Sequence, residues 1–571
     1  MSDIQKINKE LQKQFGGRYS VRTERHHLCL EGESDDWQEL VDAGRFAAKA
    51  FEGEGCLVNN VKYTGRPPAP TRLPQVQDKR LDGQTPDVLV IGGGVVGCAI
   101  ARELMRYQLN VLLIDKECDV ALHTSSRNDG MVHPGLDLKK GSVKYAYNKR
   151  GNEMYDQVCD ELQVPFAREG QYLCFPKKVP TLALRLGDIL HWKRLGVPSK
   201  TLNRRRLFEV LPHMHPELGS AWFFPTAGQV CPYSLTVAYA ENAIENGARV
   251  SLNTAVTGME VQDERITAVH TNRGVLRPKL VVNAAGVFSE DIAAMADDRF
   301  FSIHPRRGTN SILDKKAGYI SRYHSSTLMT GHSTKGAHTK GGGVIRTVHG
   351  NLLLGPNAVE VPDKEDFATD REGIQVVLDK QAKTSDKLNF GQVITYFTGF
   401  RAATFEEDFV LREGLYTRNI IHAAGIQSPG LTAAPAIGVD VAGWAAKRLD
   451  AAQNEQFNPA RKGVVDAASL SIEERDALIK QDPDYGVILC RCEQISKGEI
   501  LAALRRPLPC DSIDGVKRRV RAGMGRCQGG FCCPLITKII ADELGLPLEQ
   551  VRKSGEGSEI LNGPIKGGLG A

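Results

Sequence analysis

Four cysteines near the C-terminal end stand in two tight pairs: Cys490 and Cys492 with one residue between them, Cys527 and Cys532 with four. Thiolates are soft donors, and a short fold that closes two such pairs on each other makes a four-sulfur cage for an iron–sulfur cluster or for zinc. Some 400 residues upstream lies a second constellation, Gly92-Gly93-Gly94-Val95-Val96-Gly97, directly after the apolar, β-branched run Asp87–Ile91. Each glycine has its own task there: Gly92 allows a tight turn, Gly94 lets a pyrophosphate approach the backbone, and Gly97 lets a helix pack on the strand. The helix N-terminus that follows would aim N–H donors at the phosphates. Asp115, at the end of a second expected strand over Asn110–Ile114, is placed to accept from the adenosine ribose hydroxyls. A two-electron hydride acceptor and a one-electron relay in one chain would make an electron-transfer dehydrogenase.

The fingerprint does not choose between FAD and NAD. Three further segments bear on that choice. His123–Gly135, HTSSRNDGMVHPG, is rich in hydroxyls and small residues, and with Ser125 and Ser126 it could cross the pyrophosphate and run beneath a flavin ring. LVVNAAG is an apolar strand running into Gly286. His422–Gly438, HAAGIQSPGLTAAPAIG, sets Gly425, Gly430, Leu431 and Thr432 ahead of a helix, whose N–H groups would polarise the C2 carbonyl of a flavin.

These segments need a scaffold, and the bulk numbers allow one. The 571 residues suffice for two to four domains with at least one large core. A net charge of +5, from 73 basic and 68 acidic residues, gives no case for nucleic acid. Thirteen cysteines are too few for a disulfide scaffold in a chain of this length, and their C-terminal clustering favours metal ligation in a reducing compartment. The polar start MSDIQKINKELQKQ does not read as a signal peptide, and the longest apolar run, Val88–Ala101, is too short and glycine-broken to span a bilayer. The expectation is a cytoplasmic protein with no transmembrane segment.

Along the chain, residues 1–64 read as a small αβ module, with strands at His26–Glu31 and Cys56–Val61 and a helix over Asp36–Phe51. Residues 65–86 carry five prolines and suit a semi-rigid linker. Residues 87–449 form the large domain, 450–484 a polar connector with one helix, 485–540 the cysteine module, and 541–571 the end of a helix (Leu535–Leu544) and a glycine-rich tail.

Six motifs spread over the large domain carry a family likeness: GMVHPGLDLKKGSVKYAYNKRGNEMY, LVVNAAGVFSEDIA, HPRRGTNSIL, NLLLGPNAVEV, GFRAATFEEDFVL and GIQSPGLTAAPAIG. With them the domain resembles the FAD-dependent oxidoreductases of the D-amino-acid-oxidase type, and within that group the L-2-hydroxyglutarate and glycerol-3-phosphate dehydrogenases. The pieces ILCRCEQISKGEI and RAGMGRCQGGFC are similar to the bacterioferritin-associated-ferredoxin-like [2Fe–2S] domain, which also ends the large subunit of anaerobic glycerol-3-phosphate dehydrogenase. The N-terminal segment resembles a BON domain over LEGESDDWQELVDAGRFAAKA and GCLVNNVKYTG. These resemblances imply an α/β and α+β architecture: a Rossmann-like FAD domain interleaved with an antiparallel-sheet substrate domain, a small αβ N-terminal module and a small helical [2Fe–2S] module. They imply FAD and a [2Fe–2S] cluster as cofactors, with Cys490, Cys492, Cys527 and Cys532 as ligands and Cys533 a bystander.

The resemblance also places His133, in GMVHPG, facing the flavin, where a histidine suits the base that takes the hydroxyl proton. Arg401, in GFRAATFEEDF, would hold a substrate anion through a bidentate pair, unless an ion pair with Glu406, Glu407 or Asp408 consumes it. Arg306 and Arg307 are a second basic pair, and His349 a lesser candidate. One departure counts: where glycerol-3-phosphate enzymes usually carry a phosphate-binding arginine, this chain has Asp137, with Lys139 and Lys140 close behind. The expected substrate is therefore a small anionic secondary alcohol, glycerol 3-phosphate or an L-2-hydroxy acid such as 2-hydroxyglutarate. Electrons would leave through the cluster to a second flavoprotein or iron–sulfur subunit. Two alternatives stand beside it: an amine or amino-acid dehydrogenase subunit of the same fold, and a non-catalytic electron-transfer subunit.

Overall fold

The computed structural model describes residues 3–51, 55–136, 138–327, 342–508 and 510–563. Asp137, the residue on which the phosphate question turned, lies outside them.

The run VLVI forms the strand Val88–Ile91, buried on both faces as a parallel strand requires. It lies in a six-stranded sheet in the order Arg249–Ser251, Val111–Ile114, Val88–Ile91, Leu280–Asn283, Ile420–Ala424, Val410–Glu413. The first five strands are parallel and the last is antiparallel. Helices Val95–Leu104, Val143–Glu161, Pro232–Glu245 and Gly430–Leu449 pack on it through one large apolar cluster. The sheet therefore brings the ends of three segments, Gly92, Ala284 and Gly425, to one edge, where a doubly wound fold binds ligands.

A nine-stranded sheet stands beside it, centred on the long pair Ile303–Leu313 and Val393–Thr404. Its pairings are antiparallel with one exception, since His324–Thr327 runs parallel to Gln171–Pro176. The register puts Arg306 opposite Arg401 and Gly308 opposite Gly399. These features agree with the expected Rossmann-like and sheet-based substrate parts.

The N-terminal module is a four-stranded sheet with helices Asp3–Phe15 and Trp37–Ala50. Asp36 caps the second helix, its carboxylate accepting from Glu39 N–H (3.1 Å). The first helix and the strand Tyr19–Glu24 add to the expected elements; DIQKINKELQKQF is polar enough to hide its apolar stripe, of which Ile7 and Leu11 are buried. The polar connector holds the single helix Ile472–Gln481, closed by a capping box of Ser471 and Glu474. The C-terminal module pairs Ile488–Cys490 with Ile495–Ser496 and adds helices Lys497–Leu504, Ile513–Val520 and Cys533–Leu544. That last helix starts earlier than expected because Pro534 suits its first turn. Among the described residues no helix is long and apolar enough to cross a membrane.

Candidate active site and cysteine cage

The three glycines of the fingerprint occupy different environments. Gly92 has φ +114°, and a Cβ on it would stand 2.4 Å from the Ala284 carbonyl. A Cβ on Gly97 would stand 1.9 Å from the Gly92 carbonyl, so the helix could not pack. Gly94 is different: a Cβ there meets only Ser125 Oγ, at 3.3 Å. Its front is open toward a cleft, and this is the cradle a pyrophosphate needs. Ser125 Oγ accepts from Val95 N–H (2.9 Å), tying the hydroxyl-rich loop to the helix start. The Asp115 carboxylate accepts from Gly93 N–H (2.5 Å) and Glu117 N–H (2.8 Å). Burial holds its pKa above the usual carboxylate value, and those N–H donors oppose the rise.

A cavity of 180 Å³ joins the expected cofactor segments: Gly94, Ser125, Gly286, Arg401, Gly430 and Leu431 all line it. The others stand behind its wall. Gly92, Gly97 and Asp115 shape the fingerprint turn, Ser126 faces a neighbouring cavity, and Gly425 is a turn glycine at φ +63°. Thr432 Oγ1 accepts from His133 N–H (2.7 Å), fixing the histidine loop on the final helix. The residues fit FAD: an open glycine, a helix N-terminus and an enclosed slot beneath Asn128, Asp129 and Met131.

A larger cavity of 930 Å³ opens from this slot and shares Asp129, Met131, Arg401 and Gln427 with it. His133 lines it, with its Nδ1 accepting from Gly135 N–H (3.1 Å) and its carbonyl accepting from Asn152 Nδ2 (3.0 Å). His324 lies across the same space; burial, then the neighbouring His133, pushes its pKa down to about 3, so it is neutral. Lys144 is held down to about 8 by burial, against the pull of Glu407 and Asp408.

The arginines divide sharply. Arg306 is spoken for: its Nε donates to Glu360 Oε1 (2.6 Å), a second nitrogen pairs with Glu407, and Nη1 donates to Gln427 Oε1 (3.2 Å). Arg307 pairs with Asp370 (2.7 Å) and Asp366 (3.3 Å). Arg401 forms no ion pair among the described residues; its guanidinium reaches only the Asn357 carbonyl, at 3.3 and 3.4 Å. Gly308 leaves room for it, since a Cβ there would stand 2.9 Å from Arg401 Nη1. Desolvation, then Arg306, pushes its pKa down to about 10. His349 lines a separate cavity between the large domain and the cysteine module, not the His133 cavity. Asp129, Lys144, His324 and Gln427 join the site without having been singled out by the sequence. Asp129, Lys144 and Gln427 stand inside the segments quoted above, but no spacing rule distinguishes them.

In the C-terminal module the sulfurs form a row. Cys492 Sγ lies 4.0 Å from Cys490 Sγ and 3.6 Å from Cys527 Sγ, and Cys532 adjoins Cys490. No three of the four sulfurs lie mutually within 4.8 Å. Four thiolates gathered in so small a fold suit a [2Fe–2S] cluster. Cys490 and Cys532 are buried and Cys527 is exposed.

Comparison with known proteins decides the family. The model of FAD dependent oxidoreductases matches residues 87–444, well over half of the chain. The chain belongs to the FAD-dependent oxidoreductases. A BFD-like [2Fe–2S] binding domain matches residues 488–542 of this oxidoreductase. It is 40% identical over 486 residues to the glycerol 3-phosphate dehydrogenase of Caloramator mitchellensis, covering 84% of this chain and 99% of that protein. To an anaerobic glycerol-3-phosphate dehydrogenase subunit of Escherichia coli K12 it is 23% identical, over 80% of this chain and 88% of that one. The FAD-bound L-α-glycerophosphate oxidase of Mycoplasma pneumoniae shares the fold, with TM-score 0.59 and 24% identity over 66% of this chain and 98% of that one.

Proposed function

We propose that this oxidoreductase is a cytoplasmic dehydrogenase of a small anionic secondary alcohol, with glycerol 3-phosphate the first candidate and an L-2-hydroxy acid the second. The observation that carries this reading is the state of Arg401: the cavity wall holds a guanidinium that forms no ion pair among the described residues, with Asp129 acting on it only at longer range, beside two arginines that are neutralised. An enclosed cation of that kind is costly unless an anion completes it. Arg401 anchors the anionic group bidentately, and Lys144 adds a second positive charge on the same cavity. His133 lines the same cavity as that anchor and takes the hydroxyl proton. FAD, when bound, would accept the hydride from the carbon that bears that hydroxyl, so proton and hydride together balance the two-electron oxidation of alcohol to carbonyl. Ser125 and the open Gly94 would hold the cofactor's phosphates, and Gly430 and Leu431, at the start of the final helix, would line the slot for its ring.

Cys490, Cys492, Cys527 and Cys532 would hold the [2Fe–2S] cluster. A cavity of 270 Å³ shares Arg127, Asn128 and Asp129 with the flavin slot and reaches Met524 and Gln528, next to Cys527, so the two redox sites lie at opposite ends of one interdomain seam. The exposed Cys527 edge is the exit toward a partner protein that takes electrons singly. Anaerobic titration of the holoenzyme with glycerol 3-phosphate, 2-hydroxyglutarate, lactate, proline and glycine tests this directly. Bleaching of the flavin by an anionic alcohol is expected, whereas bleaching by the amines alone would discard the reading.

A further inference from the structure

The strand that carries Arg401 ends in a turn, residues 405–407, and each residue of that turn is held by the N-terminal module. Phe405 is 3% exposed and completes the core of that module beside Leu40, Ala43 and Ala47. Gly44 makes the space, since a Cβ on it would stand 2.3 Å from the Phe405 ring. Glu406 Oε1 accepts from Leu57 N–H (2.6 Å). Glu407 has a left-handed φ of 58°, a conformation that a non-glycine residue keeps only when its surroundings fix it. What fixes it includes Arg45 of the module, whose Nη2 lies 3.1 Å from Glu407 Oε1 and 2.5 Å from Glu360 Oε1.

The same carboxylates face inward. Glu360 and Glu407 are the two partners of Arg306, and Glu360 also bonds His304 (2.8 Å). Gln427 Nε2 donates to Glu407 Oε2 (2.8 Å), and Gln427 lines both the flavin slot and the substrate cavity. Two arginines and two glutamates thus close a formally neutral quartet beside Arg401, and two of them, Arg306 and Glu407, line the substrate cavity themselves. One of the four, Arg45, comes from outside the span that matches the oxidoreductase family, residues 87–444.

We infer that the N-terminal module is a working part of the substrate cavity, and that Arg45 is a positioning residue that keeps the wall neutral so that Arg401 presents a full positive charge to an anion. Without Arg45 the wall carries one uncompensated carboxylate beside Arg401. At low effective dielectric that charge opposes an incoming anion over several ångströms. Loss of Arg45 also removes one of the three side chains that hold Glu407, leaving Arg306 and Gln427 to keep that carboxylate from Arg401. The substrate named here rests on the proposed function; the charge argument does not.

The test uses the full-length, flavin-loaded protein and three forms: wild type, Arg45→Gln, and Arg45→Gln with Glu407→Gln. Two quantities are read: KM and kcat for glycerol 3-phosphate, and the affinity for inorganic phosphate from the shift it causes in the flavin spectrum. Arg45→Gln is expected to raise KM and weaken phosphate binding at least tenfold with kcat within threefold. The double variant, neutral again, is expected to return both to within threefold of wild type. An unchanged Arg45→Gln protein overturns the inference. So does a double variant worse than the single one, because that is the mark of a merely structural contact, and so does a wild type whose flavin does not respond to phosphate. If the wild type binds phosphate and the variants follow the expected order while glycerol 3-phosphate is not oxidised, the substrate reading fails and the role of Arg45 stands.

Discussion

Replacing Arg401 by glutamine separates affinity from stability. A bound anion about 4 Å from the guanidinium gains about 4 kcal/mol at an effective dielectric near 20, which is roughly a thousandfold in affinity. Glutamine keeps an N–H donor but is shorter and uncharged, so kcat/KM is expected to fall about 10³-fold, chiefly through KM. Stability should move the other way. Arg401 is a base whose folded pKa is depressed from 12.5 to about 10, so its charged form is disfavoured by folding. The penalty is fully present below pH 10, where the group is charged in both states, and fades above it. It amounts to at most about 3 kcal/mol, discounted because the guanidinium opens onto the cavity and keeps its carbonyl contact. The variant should therefore melt at or above the wild-type temperature with its flavin retained. Steady-state kinetics with a one-electron dye, beside a thermal melt followed by flavin fluorescence, reads both. A variant with kcat/KM within threefold of wild type would remove Arg401 from substrate binding. A variant that loses flavin and melts several degrees lower would show that its role is packing.

His133→Ala should slow anaerobic flavin reduction by ~100-fold while leaving anion affinity near wild type, measured by stopped-flow absorbance. Lys144, at about 8, is charged below that pH and neutral above it, so KM for a phosphate-bearing alcohol should rise between pH 7 and 9; in Lys144→Met that rise should vanish, as KM profiles of the two proteins will tell. Cys492→Ser should abolish the visible absorbance and iron content of the cluster but leave substrate bleaching of the flavin intact, separating the two redox steps. Gly94→Ala and Gly97→Ala should differ: the first meets only the Ser125 hydroxyl, at 3.3 Å, and should fold with weakened flavin binding, the second meets the Gly92 carbonyl and should perturb the fold, a contrast that circular dichroism and bound-flavin absorbance resolve.

What can be read from the chain alone follows a physical divide. The fingerprint and the paired cysteines are legible because their chemistry is local: a glycine is needed where a carbonyl stands 1.9 Å from an absent Cβ, and thiolates two or five residues apart can reach a common centre. Arg401 is legible as a candidate but its condition is not. Whether Glu406, Glu407 or Asp408 neutralises it depends on contacts across hundreds of residues, and each has a different answer. Glu407 is consumed by Arg306 and Arg45, Glu406 by Leu57 N–H, and Asp408 by the N–H groups of Val143 and Lys144. Three acids next to an arginine in sequence thus leave it unpaired in space. Their diversion has one structural origin: the turn they form is a shared boundary, clasped by the N-terminal module on one side and by the helix of Lys144 on the other. A segment that reads as an appended αβ module thus stands behind the cavity wall, where its Arg45 holds two of the carboxylates that bear on the charge an anion would meet.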